Sequence, residues 1–205
     1  MILIGRDLSP FTRRVAISLE VLGFTFERKQ LSTATDALEI RQYNPLGRVP
    51  ALVLDTGESL IDSSAILDYL DETVGPDRSL IPASGPERRH ILRLVSLALG
   101  VMEKSVAAYY ERTRRPAETR HPPWLNMLED QTLAGLEALD SQADAKGPWL
   151  ALGRMTQADI SAVAALDFAD TALPSLLKDV NLPRLRGLAL HLQNEPAFLS
   201  TKPKA

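Results

Sequence analysis

The chain has 205 residues, of which 45% are apolar and 24% are charged, and its formal net charge is −3. This balance is typical of a globular protein and argues against disorder and against wholesale binding of nucleic acid. No apolar run reaches the length of a membrane span and the N-terminus lacks a signal-peptide pattern, so we expect a cytoplasmic protein without a membrane segment. The sequence has no cysteine, which excludes disulfides and an enzyme thiol, and its three histidines show no metal-ligand spacing.

The first part of the chain alternates strand and helix patterns. The apolar run 1–5 predicts a buried strand, residues 10–23 predict an amphipathic helix, and the weak alternation in 24–31 predicts a second strand. Strand, helix and strand in this order form the unit from which parallel sheets are built. The sequence then predicts a short helix over 37–42, two hairpin strands over 51–54 and 58–61, and a helix over 62–75.

A proline-rich stretch over 76–88 marks a change of character and predicts a domain boundary. The periodicity beyond it is helical, with predicted helices over 87–111, 124–143, 156–170 and 182–195, the last of them ended by Pro196. We interpret the basic loop between the first two of these helices as a solvated face. We therefore predict a small α/β domain over residues 1–78 and an all-α helical bundle over residues 85–205.

The segment LSPFTRRV begins the first of these helices with a Ser-Pro pair. Serine is a favoured N-cap and proline a favoured first residue, so Ser9 and Pro10 are fully explained as a helix start. The same geometry also suits chemistry, because a helix N-terminus favours negative charge and a serine hydroxyl can donate a hydrogen bond to a thiolate. Such a bond stabilises the ionised form and lowers the thiol pKa. The residues alone leave both interpretations open.

Two later segments carry groups suited to a peptide or amino-acid ligand. In GRVPAL, Pro50 is either a trans proline at a strand edge or a cis proline that exposes the backbone of Val49 to an extended peptide. In DSSAI, Asp62 or Ser63 could simply cap a helix. The carboxylate, the hydroxyl and the free amides together also suit the ammonium and carboxylate groups of an amino-acid-like ligand. A cap needs only one such residue, so the cluster leans toward ligand binding.

The segment TQAD, over residues 156–159, has the pattern of a capping box. Thr156 takes the N-cap position and Asp159 the acidic position in the first turn. We interpret this motif as structural, and its loss should cost about 1 kcal/mol, or somewhat more if the cap is buried.

Taken in order, these motifs resemble the glutathione S-transferase family. SPFTRRV resembles the active-site segment after the first strand, NPLGRVPAL the segment with the cis proline, DSSAILDYL the acidic-Ser helix start, and TQADI the capping box of the helical domain. The resemblance covers essentially the whole chain. It implies a thioredoxin-like N-terminal domain, a helical C-terminal domain and a homodimer, with glutathione as co-substrate and no metal.

The resemblance also implies the glutathione contacts. Ser9 matches the hydroxyl that stabilises the glutathione thiolate in serine-type members, and Thr12 is the second candidate for this role. Cysteine-type members carry Cys-Pro-Phe where this chain has Ser-Pro-Phe, which argues against thiol–disulfide chemistry through an enzyme cysteine. The other implied contacts are Arg48 near the glycyl end, Val49 and Pro50 at the cysteinyl part, and Asp62 and Ser63 at the γ-glutamyl group. Aspartate here replaces the more usual glutamate.

For the second substrate the resemblance implies a pocket between the first helix start and the end of the long helix. Its aromatic candidates are Phe11, Tyr109, Tyr110 and Trp124, which are equally well explained as packing residues. We therefore predict a transferase that activates the glutathione thiol for attack on a small apolar electrophile, as in detoxification. A glutathione-dependent isomerase, dehalogenase or peroxidase shares the same contacts, and a non-catalytic binding module is a third hypothesis.

Overall fold

The computed structural model describes residues 1–143 and 147–203 and divides the chain into two compact units. The first unit contains Met1–Ala83 together with the segment that begins at Gln193, and the second contains Ser84–Leu192. The predicted C-terminal domain, 85–205, thus includes a segment that the structure groups with the first unit. Within the described ranges, no helix combines the length and the hydropathy needed to cross a membrane, and no three His, Cys, Asp or Glu side chains form a group that could hold a metal ion.

The first unit is built on a four-stranded sheet. Its strands are β1 (Ile2–Ile4), β2 (Glu27–Lys29), β3 (Ala51–Val53) and β4 (Ser59–Leu60), in the order β2-β1-β3-β4. β1 runs parallel to β2 and antiparallel to β3, and β3 forms the predicted hairpin with β4. A parallel pair needs a crossover connection, which the helix between β1 and β2 provides. The predicted α/β thioredoxin-like unit is therefore confirmed.

The helices follow in chain order. They are α1 (Pro10–Val21), α2 (Ala37–Ile40), α3 (Ser63–Val74), α4 (Gly85–Thr113), α5 (Pro122–Gln142), α6 (Gln157–Ala172), α7 (Pro174–Leu177), α8 (Pro183–Leu192) and α9 (Pro196–Ser200). In the first unit α1 packs against α3, and both helices bury their aliphatic faces. A second apolar cluster of this unit contains Ile4, Leu31, Ile40 and Ala51.

The second unit is all helical, as predicted, and its central element is α6. This helix is buried along most of its length, because α4, α7 and α8 all pack against it. Most residues of α6 are apolar, and a helix of this composition requires such an enclosed place. The helices α4 and α5 approach closely at Gly135, where a Cβ atom would lie 2.5 Å from Cγ2 of Val101.

Among the described residues, two short α-helices, α7 and α9, and a 3-10 helix over Ala117–Thr119 were not predicted from the sequence. The prediction treats Pro196 as the residue that ends the last helix, whereas in the structure Pro196 is the first residue of α9. The physical reason is that proline ends a helix and begins one equally well, since its missing N–H is not needed in the first turn. The turn before Pro196 therefore leads into a further helix.

Candidate functional site

Ser9 lies at the start of α1, where it is the N-cap residue and is partly exposed. Its Oγ accepts a hydrogen bond from the Thr12 N–H at 3.3 Å, so the predicted cap is confirmed. The hydroxyl is an acceptor in this bond, which leaves its own hydrogen for another partner. The two interpretations of Ser9 are therefore compatible, since one oxygen can cap the helix and donate outward.

The first turn of α1 is suited to an anion. Pro10 has no N–H, the Thr12 N–H is used by Ser9 Oγ, and the Arg13 N–H donates to Ser9 O at 2.9 Å. The N–H of Phe11 has no acceptor among the described residues. The first turn of α1 contains no acidic side chain, so the positive end of the helix dipole is not neutralised by its own helix.

Thr12, the second candidate for thiol activation, points into the protein. Its side chain is fully buried, and Oγ1 has no hydrogen-bond partner in the described ranges. The oxygen lies over Gly5, where a Cβ atom would be only 2.5 Å from it. Gly5 also has φ +129°, a conformation that L side chains rarely adopt, so the loop after β1 needs a glycine for two reasons.

The loop before β3 contains the cis peptide bond between Val49 and Pro50, which decides between the two alternatives for this proline. Asn44, only 2% exposed, fixes the loop: its Nδ2 donates to Arg48 O at 2.9 Å and its Oδ1 accepts from the Leu46 N–H at 3.0 Å. In the part of the chain that the structure describes, no hydrogen bond uses the backbone N–H or C=O of Val49. The Arg48 side chain is exposed.

The start of α3 brings together the acidic and hydroxyl residues of the DSSAI segment. Asp62 is the N-cap, and its Oδ1 accepts from the Ser64 N–H at 2.9 Å. Asp62 is exposed, whereas Ser63 is 2% exposed. The cap therefore uses one oxygen of the Asp62 carboxylate. The hydroxyls of Ser63 and Ser64 are bound by a residue from another helix.

That residue is Arg14 of α1, which the sequence analysis missed. It is buried, and its Nε donates to Ser63 Oγ at 3.2 Å while its Nη2 donates to Ser64 Oγ at 3.0 Å. Both hydroxyls act as acceptors toward the guanidinium and keep their hydrogens for an acceptor such as a carboxylate. Burial lowers the Arg14 pKa to about 10, against the opposing effect of Asp62, so the side chain stays charged at neutral pH. The sequence shows only two adjacent arginines in α1, and nothing in that pattern distinguishes a buried arginine from an exposed one.

The four aromatic candidates lie in different units. Phe11 belongs to the first unit and is partly exposed. In the second unit Tyr109 packs edge-on against Phe168 with ring centroids 6.0 Å apart, and the Arg114 guanidinium lies 3.6 Å from the centroid of the Tyr110 ring. Trp124 is 47% exposed. Tyr109 thus packs against the core of its unit, although it is partly exposed like Tyr110, and Trp124 is the most exposed of the three.

Comparisons with known proteins agree with this geometry. Residues 3–78 match the glutathione S-transferase N-terminal domain and residues 122–189 match the glutathione S-transferase C-terminal domain. A glutathione transferase family member from Pseudomonas fluorescens, solved with bound glutathione, is 33% identical with a TM-score of 0.88, and the alignment covers 100% of this chain and 99% of that one.

Two curated relatives align over nearly their whole length. The uncharacterized GST-like protein YibF of Escherichia coli is 29% identical over 99% of this chain and 98% of its own. The maleylacetoacetate isomerase of Pseudomonas aeruginosa is 29% identical over 93% of this chain and 90% of its own.

Proposed function

The chain belongs to the glutathione S-transferase family, and from this premise we propose that it binds glutathione in its first unit, ionises the thiol beside Ser9 and directs the sulfur at a small apolar electrophile. The enzyme then contributes stabilisation of the thiolate and proximity of the two reactants. The observation that carries the proposal is the Ser9 hydroxyl at the N-terminus of α1, which accepts from Thr12 and retains its hydrogen for a donor role.

The size of the Ser9 contribution follows from its chemistry. A hydrogen bond to a charged group contributes about 1.5–3 kcal/mol. At about 1.36 kcal/mol for each pKa unit, this lowers the pKa of the bound thiol by roughly one to two units. The unneutralised helix start adds in the same direction, because it favours the sulfur anion over the neutral thiol.

Ser9 is favoured over Thr12 as the donor to the thiolate, because the Ser9 side chain is partly exposed and the Thr12 side chain is fully buried. The Thr12 hydroxyl is enclosed beneath Gly5 and would need a rearrangement to reach a bound thiol. A more serious rival is the backbone N–H of Phe11, which lies in the same first turn. The two donors can act together, and substitution of Ser9 separates their contributions.

The other glutathione contacts are proposed at positions that suit each part of the tripeptide. The backbone of Val49, before the cis Pro50, pairs with the cysteinyl part, and the exposed Arg48 guanidinium binds the glycyl carboxylate. Asp62 and Ser63 bind the ammonium and carboxylate of the γ-glutamyl group. The bond from Arg14 supports this assignment, since it leaves the Ser63 hydroxyl as a donor toward the carboxylate.

By resemblance to the family, we propose Phe11, Tyr109, Tyr110 and Trp124 as contacts of the electrophile, and each of these four side chains keeps some exposed surface. A second candidate activity is glutathione-dependent isomerisation, which the full-length similarity to a maleylacetoacetate isomerase favours. A panel of aryl halides, epoxides, hydroperoxides and cis-enones separates conjugation from peroxidase, dehalogenase and isomerase activity. A non-catalytic module is disfavoured, because each of the glutathione contacts has a chemically competent side chain or backbone group.

The proposal extends to the setting in which the enzyme acts. By resemblance to the family we propose a homodimer in the cytoplasm with a role in detoxification. Sedimentation of the purified protein tests the dimer: a single species of twice the chain mass is expected, and a monomer at all concentrations would contradict it.

Calorimetric titration with glutathione tests the binding site, with Ser63→Ala and Ser64→Ala as a matched pair. Both serines accept from Arg14, but only Ser63 is assigned to the ligand. We expect Ser63→Ala to weaken glutathione binding by about tenfold, the equivalent of one lost hydrogen bond, and Ser64→Ala to change it by less than about twofold. The absence of binding heat at millimolar glutathione, or equal effects of the two substitutions, would contradict the proposed site.

A further inference from the structure

The chain segment after α8 returns to the first unit and packs on α1. Ala197 and Phe198 of α9 are buried. The Ser200 hydroxyl donates to the Glu20 carboxylate of α1 at 2.7 Å, and the fully buried Thr201 donates its hydroxyl to Ala197 O at 2.8 Å. The segment is therefore a fixed part of the unit that carries Ser9, although nearly two hundred residues of sequence separate them.

Two arginines bind the carbonyl end of α9. Arg13 of α1, which is 2% exposed, donates from Nε to Thr201 O at 3.0 Å, and Arg28 of β2 donates from Nη1 to Ser200 O at 3.1 Å. Cations are favourable at this end of a helix because its last carbonyls have no donor within the helix. We call this set, the two arginines and the carbonyls of Ser200 and Thr201, the C-terminal clamp.

One arginine of the C-terminal clamp also contacts the loop that leads to Ser9. Nη2 of Arg28 lies 3.2 Å from Oδ1 of Asp7, two residues before Ser9. Asp7 is further held by Gln30, whose Nε2 donates to Asp7 Oδ2 at 3.2 Å and whose Oε1 accepts from the Asp7 N–H at 3.3 Å. Arg28 in the middle of β2 and Gln30 directly after the strand thus fix the position of this loop.

The geometry of a guanidinium explains why an arginine occupies this place. Its two terminal nitrogens lie in one rigid plane and can bind two separate acceptors at once. In Arg28, Nη1 donates a hydrogen bond to Ser200 O, whereas Nη2 forms an ion pair with the Asp7 carboxylate at 3.2 Å but no hydrogen bond among the described residues. A lysine has a single nitrogen on a flexible stem and cannot hold two such partners in a fixed relation.

We propose that Arg28 is a positioning residue for Ser9, which ties the loop before α1 to the C-terminal segment so that the packing of α9 sets the placement of the Ser9 hydroxyl. This inference rests on the proposed role of Ser9 in thiol activation. Arg28 itself touches no substrate atom in this account. Its effect reaches the sulfur only through Asp7 and the two residues that follow it.

The test uses the full chain and measures the pKa of the glutathione thiol in the complex from thiolate absorbance, together with kcat and KM for an activated aryl halide. Arg28→Met removes both contacts and keeps much of the side-chain volume. We expect the thiol pKa to rise by about half a unit and kcat to fall about threefold, with KM for glutathione changed by less than about twofold. The control Arg154→Met, at an exposed arginine of the second unit, should match wild type.

Two further variants separate positioning from charge and from stability. Arg28→Lys keeps the charge, so we expect it to show most of the Arg28→Met effect; full recovery would mean that charge alone acts and would overturn the inference. Asp7→Asn should raise the thiol pKa and lower kcat as Arg28→Met does, and the double variant should show little further change in either quantity. A lower melting temperature in Arg28→Met, with thiol pKa and kcat unchanged, would make Arg28 purely structural and would also overturn it.

The link to the C-terminal segment has its own variant. Phe198→Ala loosens α9 without changing the loop before α1, and we expect the thiol pKa to rise in the same direction by a smaller amount. An unchanged thiol pKa in a folded Phe198→Ala protein would contradict the link.

Ser9→Ala, measured in parallel, separates the two proposals. If it leaves the thiol pKa unchanged, the proposed function fails. A rise of the thiol pKa in Ser9→Ala without one in Arg28→Met overturns only the role of Arg28.

Discussion

The helices α1 and α6 begin with the same chemical device, a hydroxyl residue at the N-cap, but the two caps differ in how many of their groups are already paired. At α6 the fully buried Thr156 hydroxyl donates to Asp159 Oδ2 at 2.7 Å and accepts from the Ala158 N–H at 3.3 Å. Asp159 also accepts from the N–H groups of Thr156 and Leu150, each at 2.8 Å. Donors and acceptors of this cap are matched inside the protein.

At α1 the cap is open. Ser9 is partly exposed, its hydroxyl accepts a single bond from the Thr12 N–H, and no acidic residue returns a bond from the first turn. A closed cap stabilises a helix and has no unpaired donor or acceptor with which to bind a ligand. An open cap costs some stability, because it keeps a donor and the helix dipole unpaired, and this is the condition for binding a sulfur anion.

The largest effect is expected at the closed cap. Asp159→Ala leaves three buried donors without an acceptor and should lower the free energy of unfolding by about 3 kcal/mol. Urea unfolding measures this loss, and Asp130→Ala, at an exposed aspartate of α5, is the matched control with an effect below about 0.5 kcal/mol. A loss below about 1 kcal/mol in Asp159→Ala would mean that the cap is not closed as described.

Substitution of the open cap should affect chemistry more than stability. Ser9→Ala is expected to reduce kcat by about 10- to 100-fold, while KM for glutathione stays within about twofold and stability falls by about 1 kcal/mol. Ser9→Thr keeps a hydroxyl at the cap and should retain more of the activity. Steady-state kinetics measures both parameters for each variant. An unchanged kcat in Ser9→Ala would contradict the role of Ser9 and would assign thiol activation to the Phe11 N–H.

The closed cap also predicts a pH dependence. Burial raises the pKa of Asp159 above its ordinary value of 3.8, although its hydrogen bonds act in the opposite direction. The folded chain therefore binds the proton of the Asp159 carboxyl more tightly than the unfolded chain does. The contribution of this carboxyl to the free energy of unfolding decreases as pH rises from its ordinary pKa through its raised pKa in the folded state, and it is constant at higher pH.

Asp159→Asn removes this titration. We expect the stability advantage of wild type over Asp159→Asn to narrow as pH rises from the ordinary carboxyl pKa toward neutrality, as measured by urea unfolding at a series of pH values. An advantage that widens with pH would show that the hydrogen bonds, rather than burial, dominate the Asp159 pKa.

The smallest effect is expected at Thr12, which sharpens the assignment within α1. Its buried Oγ1 has no partner in the described ranges, so Thr12→Val should leave stability unchanged or raise it by up to about 1 kcal/mol. Turnover should equal that of wild type in the same kinetic assay. A tenfold loss of kcat in Thr12→Val would instead place thiol activation at this residue.

Sequence patterns predicted those features whose interacting residues are close neighbours in the chain. The caps at Ser9 and Thr156 are read from four consecutive residues, and the hairpin around residues 55–57 from its turn. The class of each unit followed from the change in periodicity near residue 80. These signals are local because the hydrogen bonds behind them are local.

The features that were missed depend on partners distant in sequence. Arg14 acquires its role from Ser63, 49 residues away, and Arg13 from the carbonyl of Thr201, 188 residues away. Neither a helix pattern nor a propensity carries such information. The sequence around a buried arginine does not differ from that around an exposed one, and only the position of the hydrogen-bond acceptor in the folded chain distinguishes them. The return of α9 was missed for a related reason, because Pro196 fits a helix end and a helix start equally well.

The central claim, that an open cap at Ser9 holds the glutathione sulfur as an anion, is tested most directly by titrating the thiol in the enzyme–glutathione complex. Thiolate absorbance measured across pH gives the thiol pKa for wild type and for Ser9→Ala at saturating glutathione. The account predicts a wild-type pKa well below that of free glutathione and a rise of roughly one to two units in Ser9→Ala. Equal pKa values in the two proteins, with glutathione bound in both, would contradict it.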